Sequence, residues 1–543
     1  MTAPRNILWI MSDQLRWDYL SCYGATHIDT PNLDWLASRG VRFDRAYVQS
    51  PVCGPSRMSM YTGRYMRSHG SNWNGFPLRV GEPTLGEHLA EAGMTATLVG
   101  KSHVVPDRDG MARLGIDPAS AAGRRIAAGG FVEHIRDDGT NHSDYPNRST
   151  AYDAYLRQQG FTGDNLWEEW ANSGIGADGK LHSGWLLDNA DLAARVPKEH
   201  SETAWLTTQG IEFLKAQGDA PWMCHLSYIK PHWPYMAPAP YHAMFRAQDL
   251  PRPVRHAREK QSDHPLMQAW TGTRICQSFA RDPLRDKVVC AYAGLVKELD
   301  DQLGRLFAYL RAAGRMEDTM IVFCSDHGDN LGDHWLGEKD LFYDCAARVP
   351  LIVCDPRPEA DATRGTASVA LVEAIDIAPT MLDFAGVAPK PHILEGRSLT
   401  PLLHGTAVEW RDHVISEYDY ATRDARRAAG VDQADARLTM VFDGRWKYIH
   451  AETFRPMLFD LQADPDELND LGGDPDFADQ IARLGALHFA WARRHHSRIT
   501  RSPENIEKMA DVREPPGILI AYRDEKELVE DGLTMPGHVK PKT

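Results

Sequence analysis

The chain contains a series of short, continuous apolar runs, each followed by polar residues, and this pattern constrains the fold more than any other feature. The runs are NILWIM (6–11), TATLVG (95–100), PWMCHLSYI (221–229), TMIVFC (319–324) and RVPLIVCDP (348–356). Such runs are typical of strands buried on both faces of a parallel sheet. Helical segments separate them, such as the one that begins at the capping box of Thr84 and Glu87 and stops at Gly93. A further helix, with an internal proline at 379, is expected at 373–386. The sequence therefore predicts an α/β fold in which helices sandwich a large mixed, mostly parallel sheet.

The chain is also longer than a single core accommodates. Its 543 residues predict a large catalytic domain with a smaller companion. We assign residues 1–410 to the large domain, in which 104–200 form an irregular insertion that shapes the substrate pocket. Alternating residues and turn signals predict a small C-terminal α+β subdomain of antiparallel strands at 411–500. The polar tail at 501–543 either wraps a neighbouring subunit or is disordered.

Composition and charge exclude several classes of protein. The formal net charge of −15 argues against nucleic-acid binding, which needs a basic face. An anionic substrate must then be attracted by a local cluster of cations. No apolar run approaches the ~20 residues of a membrane span, and the strand-like run from Asn6 leaves no room for a signal peptide. The eight cysteines lack metal-ligand spacing and are typical of reduced thiols in a cytoplasmic protein.

Two of the apolar runs end in residues suited to metal binding. Asp13 and Gln14 follow NILWIM, and Asp326 and His327 follow TMIVFC. Ligands of open α/β sheets gather at the carboxyl ends of strands, although a lone Asp13 could equally cap the next helix. Two carboxylates, an amide oxygen and an imidazole suit one divalent ion such as Ca²⁺ or Mn²⁺. They suit structural zinc poorly, because no thiolate cluster is present.

A cysteine lies at the predicted start of a helix. In the segment PVCGPSR, Pro55 suits a first helical turn, and Gly63 ends the stretch that follows. Cys53 then lies at or just before a helix N-terminus, where free backbone N–H groups and the helix dipole favour negative charge. A lone cysteine in such a place is more often a buried core thiol. The residues at the other strand ends favour a functional role.

Cationic residues accumulate at the same strand ends and at the helix start. They are Arg57, Lys101, His103, His232 and Lys339. Each taken singly is more often a solvated surface group. Five of them beside two carboxylates have the makeup of a site for a tetrahedral oxyanion ester, in which a metal ion and cations neutralise the equatorial oxygens. The sequence thus predicts a small anionic ester as substrate.

Together these segments resemble the type I sulfatases of the alkaline phosphatase superfamily. CGPSR matches the family's Cys-x-Pro-Ser-Arg signature. Further family motifs, in the family's order between residues 5 and 465, are SDQLRWDYLSCYG, VGKSH, KPHWP, SDHGDNLGDHWLGEK, DIAPTMLDFAG and EGRSLTPLL. The resemblance implies an alkaline phosphatase-like fold. It also implies that a formylglycine-generating enzyme oxidises Cys53 to formylglycine, an aldehyde that hydrates to a geminal diol. The metal ligands implied are Asp13, Gln14, Cys53, Asp326 and His327.

The resemblance also implies a role for each catalytic residue. The metal ion and Arg57 lower the pKa of one hydroxyl of hydrated residue 53, which attacks sulfur or phosphorus in line. His232 or Lys339 protonates or stabilises the leaving oxygen. His103 takes the proton of the second hydroxyl, so that the aldehyde re-forms as sulfate departs. A plain serine or cysteine lacks that second hydroxyl and cannot use this route.

Two positions leave the preferred substrate open. Gln14 and His327 stand where many sulfatases have an aspartate and an asparagine, and this pairing resembles the phosphonate monoester hydrolases. Lys101 and His103 are sulfatase-like. We expect hydrolysis of aryl or other small sulfate monoesters, with promiscuity toward phosphonate monoesters and phosphodiesters. The alternative reverses that preference, and an alternative of another class is an inactive relative that binds oxyanions. The filled ligand positions disfavour the last.

The expected partners are few. They are a small anionic ester, the formylglycine-generating enzyme and further copies of the chain in a homo-oligomer, either a dimer or a tetramer. Neither nucleic acid nor a membrane is expected to bind.

Overall fold

The apolar run near the start of the sequence forms a central strand of a large sheet. The structure is a computed structural model that describes residues 6–141, 151–494, 498–511 and 522–532. The chain divides into one compact unit of Met1–Pro389 and Glu395–His495 and a second of Lys390–Leu394 and His496–Thr543. The large sheet and a smaller antiparallel sheet both lie in the first unit.

The strands of the described residues, in chain order, are β1 (Asn6–Asp13), β2 (Val41–Phe43), β3 (Ala46–Tyr47), β4 (Thr95–Gly100), β5 (Val132–Arg136), β6 (Ser173–Ile175), β7 (Leu181–Ser183), β8 (Trp222–Pro231), β9 (Thr319–Ser325), β10 (Arg348–Val349), β11 (Leu351–Cys354), β12 (Thr366–Ser368), β13 (Val372–Glu373), β14 (Val414–Asp419), β15 (Arg437–Phe442), β16 (Trp446–Ala451) and β17 (Met457–Asp460).

The α-helices of the same residues are α1 (Pro31–Arg39), α2 (Cys53–Thr62), α3 (Met66–His69), α4 (Leu85–Ala90), α5 (Arg108–Arg113), α6 (Ala121–Ala127), α7 (Ala151–Gln158), α8 (Glu202–Ala216), α9 (Pro265–Thr271), α10 (Arg274–Phe279), α11 (Asp282–Ala312), α12 (Asp344–Ala347), α13 (Ile377–Phe384), α14 (Thr400–Leu403), α15 (Asp424–Ala428), α16 (Ala478–Arg493), α17 (Pro503–Asp511) and α18 (Glu525–Glu530).

The large sheet has eight strands in the order β12-β2-β11-β9-β1-β8-β4-β5. β1 runs parallel to both of its neighbours and pairs Leu8 with Cys224 of β8 and with Ile321 of β9. β4 is parallel to β8 and to β5, whereas β11 is antiparallel to β9 and β2. The prediction of a mixed, mostly parallel sheet is confirmed.

Helices cover both faces of this sheet, because alternate residues of a strand point to opposite sides. Leu8 and Ile10 of β1 belong to the apolar cluster formed with α1, α8 and α11. The ring of Trp9 contacts that of Tyr61 in α2, with 5.7 Å between centroids. All residues of β1 are buried, and burial on both faces explains why the run is continuously apolar.

Prolines account for two differences from the predicted elements. Pro350 divides the strand expected at 348–356 into β10 and β11, which belong to different sheets, since proline lacks the N–H that a ladder requires. The helix expected at 373–386 with an internal proline begins only at Ile377. Pro379 therefore lies in the first turn of α13, where its missing N–H breaks no hydrogen bond.

The insertion expected at 104–200 contains more regular structure than its composition indicates. It includes α5–α7 and the hairpin β6–β7, and β5 extends the large sheet at one edge. Residues 142–150 of the insertion lie outside the described residues. In the predicted tail α17 and α18 are helical, and residues 512–521 and 533–543 are likewise outside the described part. The domain boundary at 410 stays a prediction.

No helix within the described ranges combines the length and apolar character needed to cross a bilayer.

A smaller antiparallel sheet, in the order β14-β15-β16-β17, supports the loop that follows β9. Tyr418 of β14 donates a hydrogen bond from its hydroxyl to Asp340 Oδ1 at 2.7 Å. Lys447 Nζ of β16 donates to the carbonyl oxygen of Phe342 at 2.8 Å. These two contacts anchor the segment that carries Lys339, so the smaller sheet helps to position a predicted site residue.

Replacing Lys447 by methionine is expected to lower the free energy of unfolding by about 3–5 kcal/mol. Its fully buried ammonium group lies 2.7 Å from Asp344 and 2.5 Å from Glu467, and removing it leaves these carboxylates without that cation. Urea denaturation measures the change. As a matched control, Lys297→Met should cost at most about 1 kcal/mol, because Lys297 is more exposed than Lys447. Equal losses for the two variants would contradict the prediction.

Candidate active site

Four adjacent strands of the large sheet carry predicted site residues at one edge. These strands are β9, β1, β8 and β4. The residues at or just after their carboxyl ends are Asp13, Gln14, Lys101, His103, His232, Asp326 and His327. Because parallel strands end at the same edge, their terminal loops meet there. This order in the sheet brings together residues more than 300 positions apart in sequence.

Cys53 reaches this edge from α2, of which it is the first residue. The helix ends at Gly63, whose φ of 64° lies in the left-handed region. The Gly54 N–H donates to Asn74 Oδ1 at 2.7 Å, and a Cβ at this position would lie 2.8 Å from that oxygen. Ser56 Oγ donates to the carbonyl oxygen of Asp326 at 2.6 Å. The helix N-terminus is thereby attached to the loop after β9.

Four side chains form a compact group of metal-ligating atoms. They are Asp13, Cys53, Asp326 and His327, whose ligand atoms all lie within 4.8 Å of one another and are buried. His327 donates from Nδ1 to the carbonyl oxygen of Gly328 at 2.8 Å, which leaves Nε2 facing the group at 3.0 Å from Cys53 Sγ. Two carboxylates and an imidazole suit a divalent cation with a preference for oxygen and nitrogen.

The fully buried guanidinium of Arg57 bridges the two carboxylates. Its Nε lies 2.7 Å from Asp326 Oδ2, and its Nη2 lies 3.3 Å from Asp13 Oδ2. Its Nη1 donates to the Lys101 carbonyl oxygen and to Ser227 Oγ at 2.9 and 2.8 Å. Burial and the neighbouring Asp13 carboxylate raise the pKa of Asp326, although Arg57 opposes this shift. Because the two carboxylates repel each other, further positive charge nearby stabilises their ionised forms.

Two lysines add that charge close to residue 53. Lys101 Nζ lies 2.6 Å from Asp13 Oδ2, and Lys339 Nζ donates to Cys53 Sγ at 3.2 Å. Burial alone would raise the pKa of the Cys53 thiol, but Lys339 and His327 outweigh it and lower this pKa well below its usual value. The surroundings of residue 53 therefore stabilise negative charge on its side chain.

His232 is held as a neutral imidazole beside Lys339. Its Nδ1 donates to the carbonyl oxygen of Trp233 at 2.6 Å, and its Nε2 accepts from Lys339 Nζ at 3.0 Å. Burial and the positive charge of Lys339 lower the pKa of His232 to about 3. Lys339 is thus the protonated member of this pair near neutral pH.

His103 lies on the other side of Cys53 and is fixed through its backbone. Its N–H donates to Asp138 Oδ1 at 2.9 Å, and its side chain hydrogen-bonds to Cys53. Its Nδ1 is buried without a hydrogen-bond partner among the described residues. The side chain of His103 is therefore in direct contact with residue 53.

The family profile of the sulfatases matches residues 5–387, well over half of the chain. This chain belongs to the sulfatase family. A second profile, the C-terminal region of N-sulphoglucosamine sulphohydrolase, matches residues 332–488. Membership in the sulfatase family and the prediction that the chain is an enzyme are thereby confirmed.

Several relatives of this sulfatase family member are known. It is 32% identical over 524 residues to the multifunctional alkaline phosphatase superfamily protein PehA of Trinickia caryophylli. This alignment covers 91% of this chain and 96% of that protein. An arylsulfatase of Clostridium perfringens is 28% identical, with 88% and 92% covered. The structure of a phosphonate monoester hydrolase from Silicibacter pomeroyi superposes with a TM-score of 0.79 at 29% identity, covering 92% of this chain and 98% of that one.

Two residues that sequence reasoning missed hold Gln14 in this family member. Gln14 Nε2 donates to Asp329 Oδ2 at 2.5 Å and to the Tyr235 hydroxyl at 3.1 Å, while its Oε1 accepts from Lys339 Nζ at 3.1 Å. The amide oxygen therefore faces the site. Asp329 belongs to the motif SDHGDN, so its position there was the available signal. No feature of the sequence indicates that Tyr235 contacts Gln14, which lies more than 200 positions away in the chain.

A third missed residue is Lys230, which is buried behind the histidine loop. Its Nζ donates to the carbonyl oxygens of His232 and Pro234 at 3.3 and 2.8 Å. These bonds position the loop that carries His232. The motif KPHWP contains this lysine, yet its role follows only from the contacts.

The free energy of unfolding is expected to fall as the pH drops below about 6.5, in part because of His69 beneath α2. Its Nε2 donates to Ser59 Oγ at 2.9 Å, and its Nδ1 accepts from the Ser71 N–H at 3.1 Å. Burial, with Arg64 and Arg79 nearby, lowers the pKa of His69 to about 3.

Below pH 6.5 the unfolded chain binds a proton at this histidine that the folded protein excludes, which costs about 1.4 kcal/mol per pH unit. Urea denaturation at several pH values between 6 and 4.5 gives the change in the free energy of unfolding per pH unit. This change should be smaller in His69→Gln than in the wild type by the same amount. An identical pH dependence of the free energy of unfolding in both proteins would show that His69 does not contribute to it.

Proposed function

We propose that this protein is a metal-dependent hydrolase of sulfate monoesters, arylsulfatase-like, whose nucleophile is the hydrated formylglycine made from Cys53. One observation carries the proposal. Residue 53 begins a helix and faces two buried carboxylates, an imidazole and two lysines within a few ångströms. A cysteine that only packs in the core would not require these charged and polar neighbours. Membership in the sulfatase family supports the same conclusion.

The side chains that would hold the metal ion are Asp13, Gln14, Asp326 and His327, together with residue 53. Their oxygen and nitrogen donors fit one Ca²⁺ or Mn²⁺ ion. When bound, the ion would neutralise oxygens of the ester and favour ionisation of a hydroxyl on the formylglycine hydrate. We propose that a formylglycine-generating enzyme makes this modification.

Each of the remaining residues has its own proposed role around the ester. Arg57 holds both carboxylates in place and adds positive charge beneath residue 53. Lys101 lies against Asp13 and Lys339 against residue 53. There they would neutralise the oxygens of the tetrahedral group. Lys339 carries a proton that the leaving oxygen can accept, and His232, neutral and bonded to it, orients its ammonium group. His103, whose side chain hydrogen-bonds to residue 53, is suited to take the proton of the second hydroxyl.

A second candidate function is a phosphonate monoester hydrolase or phosphodiesterase with secondary sulfatase activity. The pairing of Gln14 with His327 favours it. Two solved phosphonate monoester hydrolases, from Silicibacter pomeroyi and Agrobacterium radiobacter, superpose on this chain with TM-scores of 0.79 and 0.77 at 29% and 30% identity. Both candidates use the same nucleophile and metal site. An inactive oxyanion-binding relative is disfavoured, because each predicted ligand position is filled.

The ratio of kcat/KM for phenyl sulfate and for phenyl phenylphosphonate, measured on one metal-replete preparation, distinguishes the two candidates. A ratio above one supports the sulfatase, and we expect this result. A ratio below about 0.1 would reverse the assignment in favour of the phosphonate monoester hydrolase. Turnover of neither ester would contradict both.

Location and assembly are proposals of the same kind. None of the eight cysteines forms a disulfide, which is typical of a cytoplasmic protein. We propose a cytoplasmic homo-oligomer, and sedimentation analysis would distinguish a dimer or tetramer from a monomer.

A further inference from the structure

A cavity of about 850 Å³ borders the candidate active site. Two of its lining residues, Trp233 and Glu338, are the sequence neighbours of His232 and Lys339. Apolar and aromatic side chains predominate among the others, and Trp185 of the insertion forms part of the wall. Cavities of this size and character are typical of sites for small organic ligands.

A chain of short contacts leads from the nucleophile to this cavity. Lys339 Nζ lies 3.2 Å from Cys53 Sγ and 3.0 Å from His232 Nε2. The rings of His232 and Trp233 lie 4.5 Å apart, and those of Trp233 and Trp185 lie 5.8 Å apart at 60°. The part of an ester that is attached to the leaving oxygen is therefore within reach of both indoles.

The outer wall of the cavity exposes apolar surface. Trp185 is 37% exposed and Leu186 is 64% exposed. Large apolar side chains that are exposed together beside a catalytic centre mark a place where a ligand supplies the missing contact. Aromatic walls favour an aromatic ligand, since offset or edge-to-face ring pairs add to the burial of apolar area.

Charge at the cavity favours an anion. Arg274 and Arg281 line it, are exposed, and have no acidic side chain within ion-pair distance in the described part of the chain. Of the two acids in the lining, Asp188 has Lys287 at 3.4 Å. Burial raises the pKa of the other, Glu338, to about 7, which weakens its negative charge at neutral pH. The two arginines thus give the rim an uncompensated positive charge.

We infer that this cavity binds the leaving group of the ester, and that the favoured leaving group is an aromatic alcohol bearing a second negative charge, such as a carboxylate. The two tryptophans contact the ring, and Arg274 and Arg281 bind the second anion. The inference rests on the proposed function, because it identifies the leaving group of the same reaction. It adds Trp185, Arg274 and Arg281, which lie outside the family motifs quoted above.

Phenyl sulfate and 4-carboxyphenyl sulfate provide the test, through the ratio of their kcat/KM values. In the double variant Arg274→Gln/Arg281→Gln we expect the ratio of kcat/KM for the carboxylated ester to that for phenyl sulfate to fall about tenfold. Trp185→Ala should lower kcat/KM about tenfold for both esters. Arg113→Gln, at an exposed arginine outside the cavity, is the matched control and should change neither value.

A binding measurement separates failure of this inference from failure of the proposed reaction. Calorimetric titration of Cys53→Ala protein with 4-carboxyphenyl sulfate should give an affinity that falls about tenfold in the arginine double variant. If the metal-replete wild-type protein hydrolyses no ester while the Cys53→Ala protein still shows this dependence, the cavity is supported and the proposed reaction is contradicted. A ratio and an affinity that both stay within twofold of wild type in the double variant would overturn the inference.

Discussion

Cys53→Ala is expected to lower kcat/KM for an aryl sulfate by at least about 10⁴-fold, because it removes the proposed nucleophile around which the other groups are arranged. Lys339, His327 and the N-terminus of α2 all stabilise negative charge at this position. None of them attacks the ester. The proposed metal ligands on the strands remain, so binding of the ester should persist while turnover is lost.

Mass spectrometry of the peptide that contains residue 53 is the companion measurement. In the wild-type protein the peptide should lack one sulfur and two hydrogens and gain one oxygen, the signature of an aldehyde. Cys290→Ala is the matched control, since that half-buried thiol lies on α11 away from the site, and it should leave kcat/KM unchanged. Wild-type rates for Cys53→Ala under metal-replete conditions would contradict the mechanism.

Asp326→Asn is expected to lower kcat/KM by about 10³-fold or more and to reduce the bound divalent metal. The carboxylate accepts a hydrogen bond from Arg57 Nε at 2.7 Å and one from the Gln14 N–H at 3.1 Å. Its loss weakens a proposed metal ligand and leaves Arg57 with less compensating charge. Metal content by elemental analysis and kcat/KM measured on the same sample provide the test.

Stability is a separate consequence that needs its own control. Removing one partner of a buried ion pair costs about 3–5 kcal/mol, so Asp326→Asn should also unfold at lower urea concentration. Asp300→Asn alters another buried carboxylate, which accepts from the Leu33 N–H at the start of α1 at 2.9 Å. This control should lose stability and keep its metal. Full metal content and rate in Asp326→Asn would show that Asp326 is not a ligand.

The strands were predictable because burial on both faces of a sheet requires a continuous apolar run in the sequence. NILWIM, TATLVG and TMIVFC all became strands of the large sheet. Helix limits set by glycine and by capping boxes were equally readable, as for α4, where Thr84 and Glu87 form the predicted box. Errors arose at prolines such as Pro350 and Pro379, whose effect depends on their position within an element.

The chemistry of the site was predictable as a set of residues, and the family motifs assigned them. Asp13, Cys53 and Asp326 were chosen because each follows a strand or starts a helix, and they meet within 4.8 Å. Their catalytic roles stay predictions. Asp329, Tyr235 and Lys230 were missed because their function is to hold other residues, and such a role is defined by a contact.

The amino-acid sequence by itself determined the fold class, the family and the residue types at the candidate active site, because local burial and short motifs encode them. The tertiary structure alone decided which tautomer His232 adopts, how Gln14 is oriented, and that the small sheet supports the loop of Lys339. It also placed Trp185 and two arginines around a cavity beside that centre. Distances between residues far apart in the chain follow from packing, which no local pattern of residues records.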